Sequence, residues 1–160
     1  MAKSKRKSTD GSIAANPKAR HDYEVEEVFE AGLLLRGSEV KAMREGGVSI
    51  KEAYVGVKNG TLHVLNMHVP ELKHAAHGHG HAPRRARGLL LHRREQNKLL
   101  GAIERKGYTL LALKMYFNAR GLVKLQVGLG KGKNKADKRA TDRDRSWNKQ
   151  KAQILRRGMQ

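Results

Sequence analysis

The chain contains no cysteine, only three prolines and few aromatic residues, which make up 4% of its 160 residues. The absence of cysteine excludes a disulfide scaffold, thiol catalysis and cysteine-ligated zinc, and it fits a reducing compartment. No segment approaches the ~18 apolar residues of a membrane-spanning helix, and the basic N-terminus lacks the apolar stretch of a secretory signal. These absences predict a soluble, cytoplasmic protein.

Positive charge is what the chain has in excess, and it is unevenly distributed. The net charge is +19 at pH 7, from 34 Lys and Arg against 15 Asp and Glu. Residues 23–73 hold more acidic than basic side chains, whereas residues 1–20, 83–107 and 131–160 are strongly basic. A nearly neutral body with basic extensions is typical of a protein that binds a polyanion. A basic arm can also anchor a protein to a membrane surface, but that function needs bulky apolar residues, and residues 1–20 offer only Ile13.

Hydrophobic patterning predicts two β-hairpins in the body of the chain. The first turns at Asn59-Gly60, the residue pair that suits a type I′ turn. The second turns at residues 118–121, and its first strand alternates Leu111, Leu113 and Met115 with other residues, which predicts one buried face.

The remaining elements of the body are a long strand and two helices. The strand begins at Tyr23 and carries a bulge near Ala31-Gly32, where a glycine interrupts the apolar run. A short helix ends at Gly46 and a longer one ends at Gly107, because glycine readily adopts the conformation that terminates a helix. The total is about five antiparallel strands.

So many strands in so short a domain favour a closed barrel, which leaves no unprotected sheet edge. We therefore predict a mainly β, α+β protein: a small antiparallel OB-like barrel with two or three short helices. Residues 1–20 form a flexible basic arm, residues 21–130 form the barrel, and residues 131–160 form a basic tail.

The tail can form a helix over residues 137–159. Trp147, Ile154 and Leu155 would then lie along one stripe. So thin a stripe predicts a tail that folds only against a partner. A permanently disordered tail is the alternative, and the lone tryptophan argues against it because such residues often serve as docking or stacking anchors.

Candidate catalytic and metal-binding residues are few. Four histidines lie close together between residues 74 and 81, namely His74, His77, His79 and His81. Interspersed glycines favour a flexible loop with incidental metal affinity over a structural site. Glu26 and Glu30 could share a strand face, but no partner acid is evident, and Asp142 and Asp144 fit helical ion pairs better than a magnesium site. The chain has no P-loop, dinucleotide fingerprint or nucleophile elbow, so we expect neither an enzyme nor a cofactor.

Four blocks of the sequence together resemble one known family. NPKARHDY (16–23), FEAGLLLRGSEVKAMREG (29–46), PRRARGLLLHRRE (83–95) and KGKNKADKRATDRDRSW (131–147) are similar, in order and spacing, to blocks of the SsrA-binding proteins, or SmpB family. The resemblance covers nearly the whole chain. It implies an OB-like barrel that binds transfer-messenger RNA (tmRNA) and delivers it to stalled ribosomes, where the tail enters the empty mRNA channel at the 16S decoding centre and becomes helical. We expect a monomer in the free state.

The resemblance also implies which residues act. The RNA-binding residues would be Asn16, Lys18, Arg20, His21, Tyr23, Glu30, Leu90, His92 and Lys124. The ribosome-binding residues would be Lys131, Gly132, Lys133, Asp137, Lys138, Arg139, Trp147, Ile154 and Leu155. Three positions depart from the family pattern: Pro17 and Gly88 replace basic residues, and Ala136 replaces a His or Tyr that could stack on a base.

Without the resemblance, two other functions fit the composition. A structural ribosomal or chromosome-associated protein would bind any polyanion through the same basic segments. A metal-handling protein would use the histidine-rich loop.

Overall fold

A computed structural model of the chain describes residues 11–72, 80–133 and 135–158, and in the last range the side chains from residue 138 onward. This part of the chain contains seven strands: β1 (Ser12–Ala15), β2 (Tyr23–Leu33), β3 (Tyr54–Lys58), β4 (Thr61–Leu65), β5 (Arg87–Leu90), β6 (Tyr108–Phe117) and β7 (Val123–Gly132). It also contains four helices: α1 (Pro17–Asp22), α2 (Gly37–Glu45), α3 (Arg93–Ile103) and α4 (Lys135–Arg157). The fold is mixed α+β, with two more strands than the sequence predicted and one more helix than the two or three expected.

The strands form one antiparallel sheet that closes into a ring. Their order is β1-β6-β3-β4-β5-β2-β7, and β7 also pairs with β6. Six strands therefore complete the ring, while β1 adds to β6 beyond the part of that strand that pairs with β3. The prediction that the sheet would close is confirmed.

Local signals placed the first hairpin and α2 correctly. β3 and β4 pair antiparallel and join through Asn59 and Gly60, which have φ angles of 52° and 75°. α2 ends at Gly46, whose φ is 100°. α3, in contrast, ends at Ile103, and Gly107, with φ 86°, lies in the turn that follows.

β2 runs without a break through Ala31-Gly32, so the bulge predicted there is wrong. The irregularity in its pairing with β7 lies between Val25 and Glu27. Gly32 instead leaves room for Leu90 of β5, since a Cβ at Gly32 would lie 3.2 Å from the Leu90 Cβ.

β6 does not present the single buried face that its alternation predicted. Leu110, Ala112 and Met115 belong to the main core, whereas Leu111 and Leu113 are buried in a second cluster with Ala19 of α1. A register irregularity between Ala112 and Lys114 changes the face. Both faces of β6 are therefore covered, one by the barrel interior and one by α1.

The N-terminal segment extends the barrel further than the sequence boundary at residue 20 implied. β1 pairs with β6, and α1 packs its buried Ala19 against β6. At the other end, Lys131 and Gly132 are still part of β7 and pair with Tyr108 and Tyr23. Within the described residues, the barrel thus spans residues 12–132.

The core fills the ring. Its most deeply buried large apolar side chains come from β4, α3, β6 and β7 and from the segments that follow α2 and β4: Ile50, Leu62, Met67, Leu99, Leu110, Met115 and Leu125. Leu99 of α3 packs in the core cluster, so this helix covers part of the barrel. None of the described helices is long and apolar enough to cross a membrane.

Candidate nucleic-acid interface

Three residues that the sequence implicates in RNA binding, Glu30, Leu90 and Lys124, lie on neighbouring strands. Gly32 of β2 pairs with Leu90 of β5 on one side and with Lys124 of β7 on the other, and Lys124 pairs in turn with Tyr116 of β6. Glu30 lies two residues before Gly32 on β2, on the same face. We call Glu30, Leu90, Tyr116 and Lys124 the outer row.

The polar part of the outer row is internally hydrogen-bonded. The Tyr116 hydroxyl donates to the Glu30 carboxylate, and Lys124 Nζ lies 3.9 Å from Glu30 Oε1. Partial burial and the bond to Glu30 raise the pKa of Tyr116 to about 12, so the hydroxyl stays protonated at neutral pH. Tyr116 was missed by sequence reasoning, because only the strand register reveals that it faces Glu30.

The apolar part of the outer row is unusually exposed. Leu90 is 53% exposed, and Leu34 beside it is 55% exposed. Leu34 lies over Gly88, where an added Cβ would come within 2.8 Å of the leucine side chain. Packing against Leu34 therefore explains why this chain has glycine rather than a larger residue at position 88. His92 follows two residues after Leu90 as the exposed N-cap of α3.

Asn16 has a structural role. It is only 6% exposed; its side-chain oxygen accepts from the Ala19 amide at 3.4 Å, and its Nδ2 donates to the Ala112 carbonyl at 3.2 Å. Asn16 therefore caps α1 and ties it to β6, and the RNA contact expected of its side chain is not supported. Pro17 takes the first helical position, which suits its fixed φ.

The rest of α1 presents a basic surface. Lys18 and Arg20 are exposed. Tyr23, at the start of β2, is half-buried and packs against the cluster of Ala19 and Leu111. Seven residues of extended strand separate Tyr23 from Glu30, roughly 23 Å. The residues implicated by sequence therefore form two groups on the barrel, at α1 and at the outer row.

His21 links α1 to the tail. Its Nδ1 lies 2.9 Å from Asp22 Oδ1 and its Nε2 lies 2.6 Å from Asp142 Oδ1 of α4. Carboxylate oxygens only accept hydrogen bonds, so both contacts together require the doubly protonated imidazolium. The bonds to Asp22 and Asp142 raise the pKa of His21, while the bond from His21 lowers the pKa of Asp22.

Basic residues surround this contact. Lys138 Nζ of α4 lies 4.0 Å from Asp22 Oδ1. Lys133 Nζ, at the end of β7, donates to the Arg20 carbonyl and to Thr141 Oγ1, each at 3.3 Å. Arg139, the residue after Lys138 in α4, is exposed. Asp137 also lies in this helix.

The distal part of α4 exposes its apolar residues. Trp147 is 65% exposed, and Ile154 and Leu155 are exposed to a similar degree. Spacings of seven and eight residues place the three on one side of the helix. The helix extends over 135–157, as the sequence predicted to within two residues.

A buried ion-pair network joins α2 to β5. Glu39 of α2 accepts from Arg87 Nε and, at 2.9 and 2.6 Å, from Arg85 Nε and Nη2, and both Glu39 and Arg87 are fully buried. Burial alone would raise the pKa of Glu39, but the bonds from Arg87 and Arg85 outweigh it and the pKa is lowered. Arg87 also donates to the Met67 carbonyl at 2.8 Å. The network is fully paired and connects α2, β5 and the segment after β4.

Among the residues that the structure describes, the other candidates for chemistry do not assemble into a catalytic site. Glu26 accepts from the Tyr108 hydroxyl at 3.2 Å rather than approaching Glu30. His81 is buried and hydrogen-bonded to Ser38 Oγ and to the carbonyls of Val69 and Pro70. His74, His77 and His79 lie outside the described residues. Within the part of the chain that the structure describes, no cluster of three or more His, Asp or Glu could hold a metal ion.

Comparison with known proteins identifies the family. Residues 13–157 match the family described as SmpB protein. The SsrA-binding protein of Rhodospirillum rubrum is 47% identical over 146 residues, covering 91% of each chain. That of Thiobacillus denitrificans is 50% identical over 145 residues, covering 91% of this chain and 97% of the relative. A chain from the solved structure "tmRNA-SmpB: a journey to the center of the bacterial ribosome" is 41% identical, with a TM-score of 0.61, over 78% of this chain and 90% of that one. The chain therefore belongs to the SmpB family of SsrA-binding proteins.

Proposed function

We propose that this chain binds transfer-messenger RNA in the cytoplasm as a monomer and delivers it to stalled ribosomes for trans-translation. Membership of the SmpB family makes it an RNA-binding protein rather than an enzyme, and its relatives are named for binding SsrA RNA. The observation that carries the proposal is the outer row, because it brings Glu30, Leu90 and Lys124 together from three strands.

The outer row suits a folded RNA with unstacked loop bases. An exposed leucine offers an apolar surface to a base face, Glu30 offers an acceptor to base or ribose donors, and Lys124 offers a cation to phosphate. We assign the ring of strands to the OB-like class, in which a barrel face binds single-stranded nucleic acid. Lys18 and Arg20 of α1 supply a second, phosphate-directed surface.

We further propose that the tail acts on the ribosome, at the decoding centre and in the empty mRNA channel. Eleven Lys and Arg between residues 131 and 160 suit a channel lined by ribosomal RNA. The exposed stripe of Trp147, Ile154 and Leu155 gives α4 an apolar side that a partner can cover. The neighbour "tmRNA-SmpB: a journey to the center of the bacterial ribosome" shares 41% identity with this chain and supports such a partner.

A competition gel shift tests the proposal. The full chain is bound to labelled tmRNA at ~150 mM salt, where non-specific phosphate binding is weakened. We expect binding to survive about a hundredfold excess of bulk tRNA or of duplex DNA, because shape and loop contacts add to phosphate contacts. Displacement by equal masses of either competitor would contradict the proposal and favour a general polyanion-binding protein.

A further inference from the structure

The contact between α4 and α1 lies on a surface to which we assign RNA. Asp142 of α4 reaches His21 Nε2 at 2.6 Å, although its own side chain is 60% exposed. α4 therefore covers His21, which the family resemblance implicates in RNA binding and which lies on α1 beside the Lys18 and Arg20 of the proposed phosphate-directed surface.

The Asp142 carboxylate that contacts His21 lies among basic side chains. On α1, Lys18, Arg20 and the imidazolium of His21 face outward, with Asp22 as the local counter-charge. Lys133, directly after β7, donates to the Arg20 carbonyl and so lies beside this group. Such a set of donors binds phosphate as readily as carboxylate, because both present oxygen acceptors with negative charge.

We propose that the Asp142 carboxylate occupies on α1 the place of an RNA phosphate, so that docking of α4 and RNA binding at His21 exclude each other. This inference rests on the proposed function and adds a regulation to it. RNA bound at α1 displaces Asp142 and frees the tail, and by thermodynamic reciprocity a freed tail raises the affinity for RNA. The tail is thus held on the barrel until the RNA is bound.

Replacement of Asp142 by alanine tests the exclusion. Asp142→Ala removes the competing anion from an exposed helix position and leaves His21 intact. Asp144→Ala is the matched control: it makes the same charge change on α4, and Asp144 is exposed and forms no ion pair or hydrogen bond with the described residues. Both full-length variants and the parent chain are titrated with tmRNA at ~150 mM salt.

We expect Asp142→Ala to bind about three- to tenfold more tightly than Asp144→Ala, since apparent affinity scales with the fraction of binding-competent protein. The single tryptophan, Trp147, gives a second readout from α4 itself. Its time-resolved fluorescence anisotropy should show faster local motion in free Asp142→Ala than in free Asp144→Ala. Addition of RNA to the parent chain should produce the same change.

Equal affinities for the two variants, or Trp147 motion that RNA leaves unchanged, would overturn the inference while tmRNA binding stands. If the parent chain shows no preference for tmRNA over bulk tRNA, the proposed function fails instead. The same comparison of variants with bulk tRNA then decides the inference, because a phosphate from any RNA competes with Asp142.

Discussion

At the scale of single residues, the buried network around Glu39 is the most sensitive point of the fold. Glu39→Gln would remove the carboxylate charge that pairs with Arg87 and leave that guanidinium charged and fully buried. Breaking one side of such a pair costs roughly 3–5 kcal/mol. We expect thermal unfolding to shift downward by roughly 10 °C or more in a chain of this size.

An exposed ion pair provides the control for that measurement. Arg84 Nη1 lies 3.6 Å from Glu52 Oε2, with both side chains more than half exposed. Glu52→Gln should change the unfolding free energy by less than about 0.5 kcal/mol. Equal shifts for Glu39→Gln and Glu52→Gln would show that the buried network does not stabilise the barrel.

Individual residues also mark the limit of sequence reasoning. The ion pair between Glu39 and Arg87 could not be predicted from the sequence. The two residues are far apart in the chain, and they meet only because β5 pairs with β2 in the folded sheet. The motif that contains Asn16 pointed to RNA, yet its amide caps α1. The sequence predicted the structure correctly where the cause is local, as at Asn59 and Gly46. At both positions the backbone has a positive φ, which few residue types adopt readily.

At the scale of elements, the docking of α4 on α1 should depend on pH. The pKa of His21 is raised above its ordinary value of about 6.5. A group whose pKa is raised in the docked state stabilises that state fully below its ordinary pKa. This stabilisation is lost as the pH rises through the raised pKa. We therefore expect docking to weaken above neutral pH.

Trp147 anisotropy measured from about pH 6 to about pH 9 follows this change in the range where histidine titrates. Local motion of Trp147 should increase with pH in the parent chain and stay constant in His21→Gln. Asp22 and Asp142 hydrogen-bond to His21, and Lys18 and Lys138 act on the neighbouring Asp22, so these charged groups surround position 21 in both chains. An identical pH response in both chains would rule out His21 as the titrating group.

Elements near β6 show why the boundaries of the barrel were set too narrowly. Leu111 and Leu113 look like part of one alternating face, and the irregularity at Ala112–Lys114 sends them to the opposite side. That side is buried because Ala19 of α1 and Tyr23 and Val25 of β2 pack against it. The sequence of β1, Ser-Ile-Ala-Ala, is too short and too small in its side chains to signal a strand by pattern.

At the scale of the whole molecule, the proposed function divides the chain into a barrel that binds RNA and a tail that acts on the ribosome. The structure suggests where to separate them. A truncation after Lys133 keeps the folded barrel whole, because Gly132 ends β7 and the Lys133 amide donates to the Asp22 carbonyl at 3.0 Å. A chain that ends at Lys133 retains the residues of both core clusters, so it should fold, which thermal unfolding can verify.

The affinity of this truncated chain for tmRNA at ~150 mM salt tests the division most directly. We expect it to bind at least as tightly as the full chain, since the outer row and α1 are intact and the competing Asp142 is gone. The same protein should fail to rescue stalled ribosomes in a reconstituted translation system. Loss of most of the RNA affinity in a folded truncated chain would contradict the account, because it would place RNA binding in the tail.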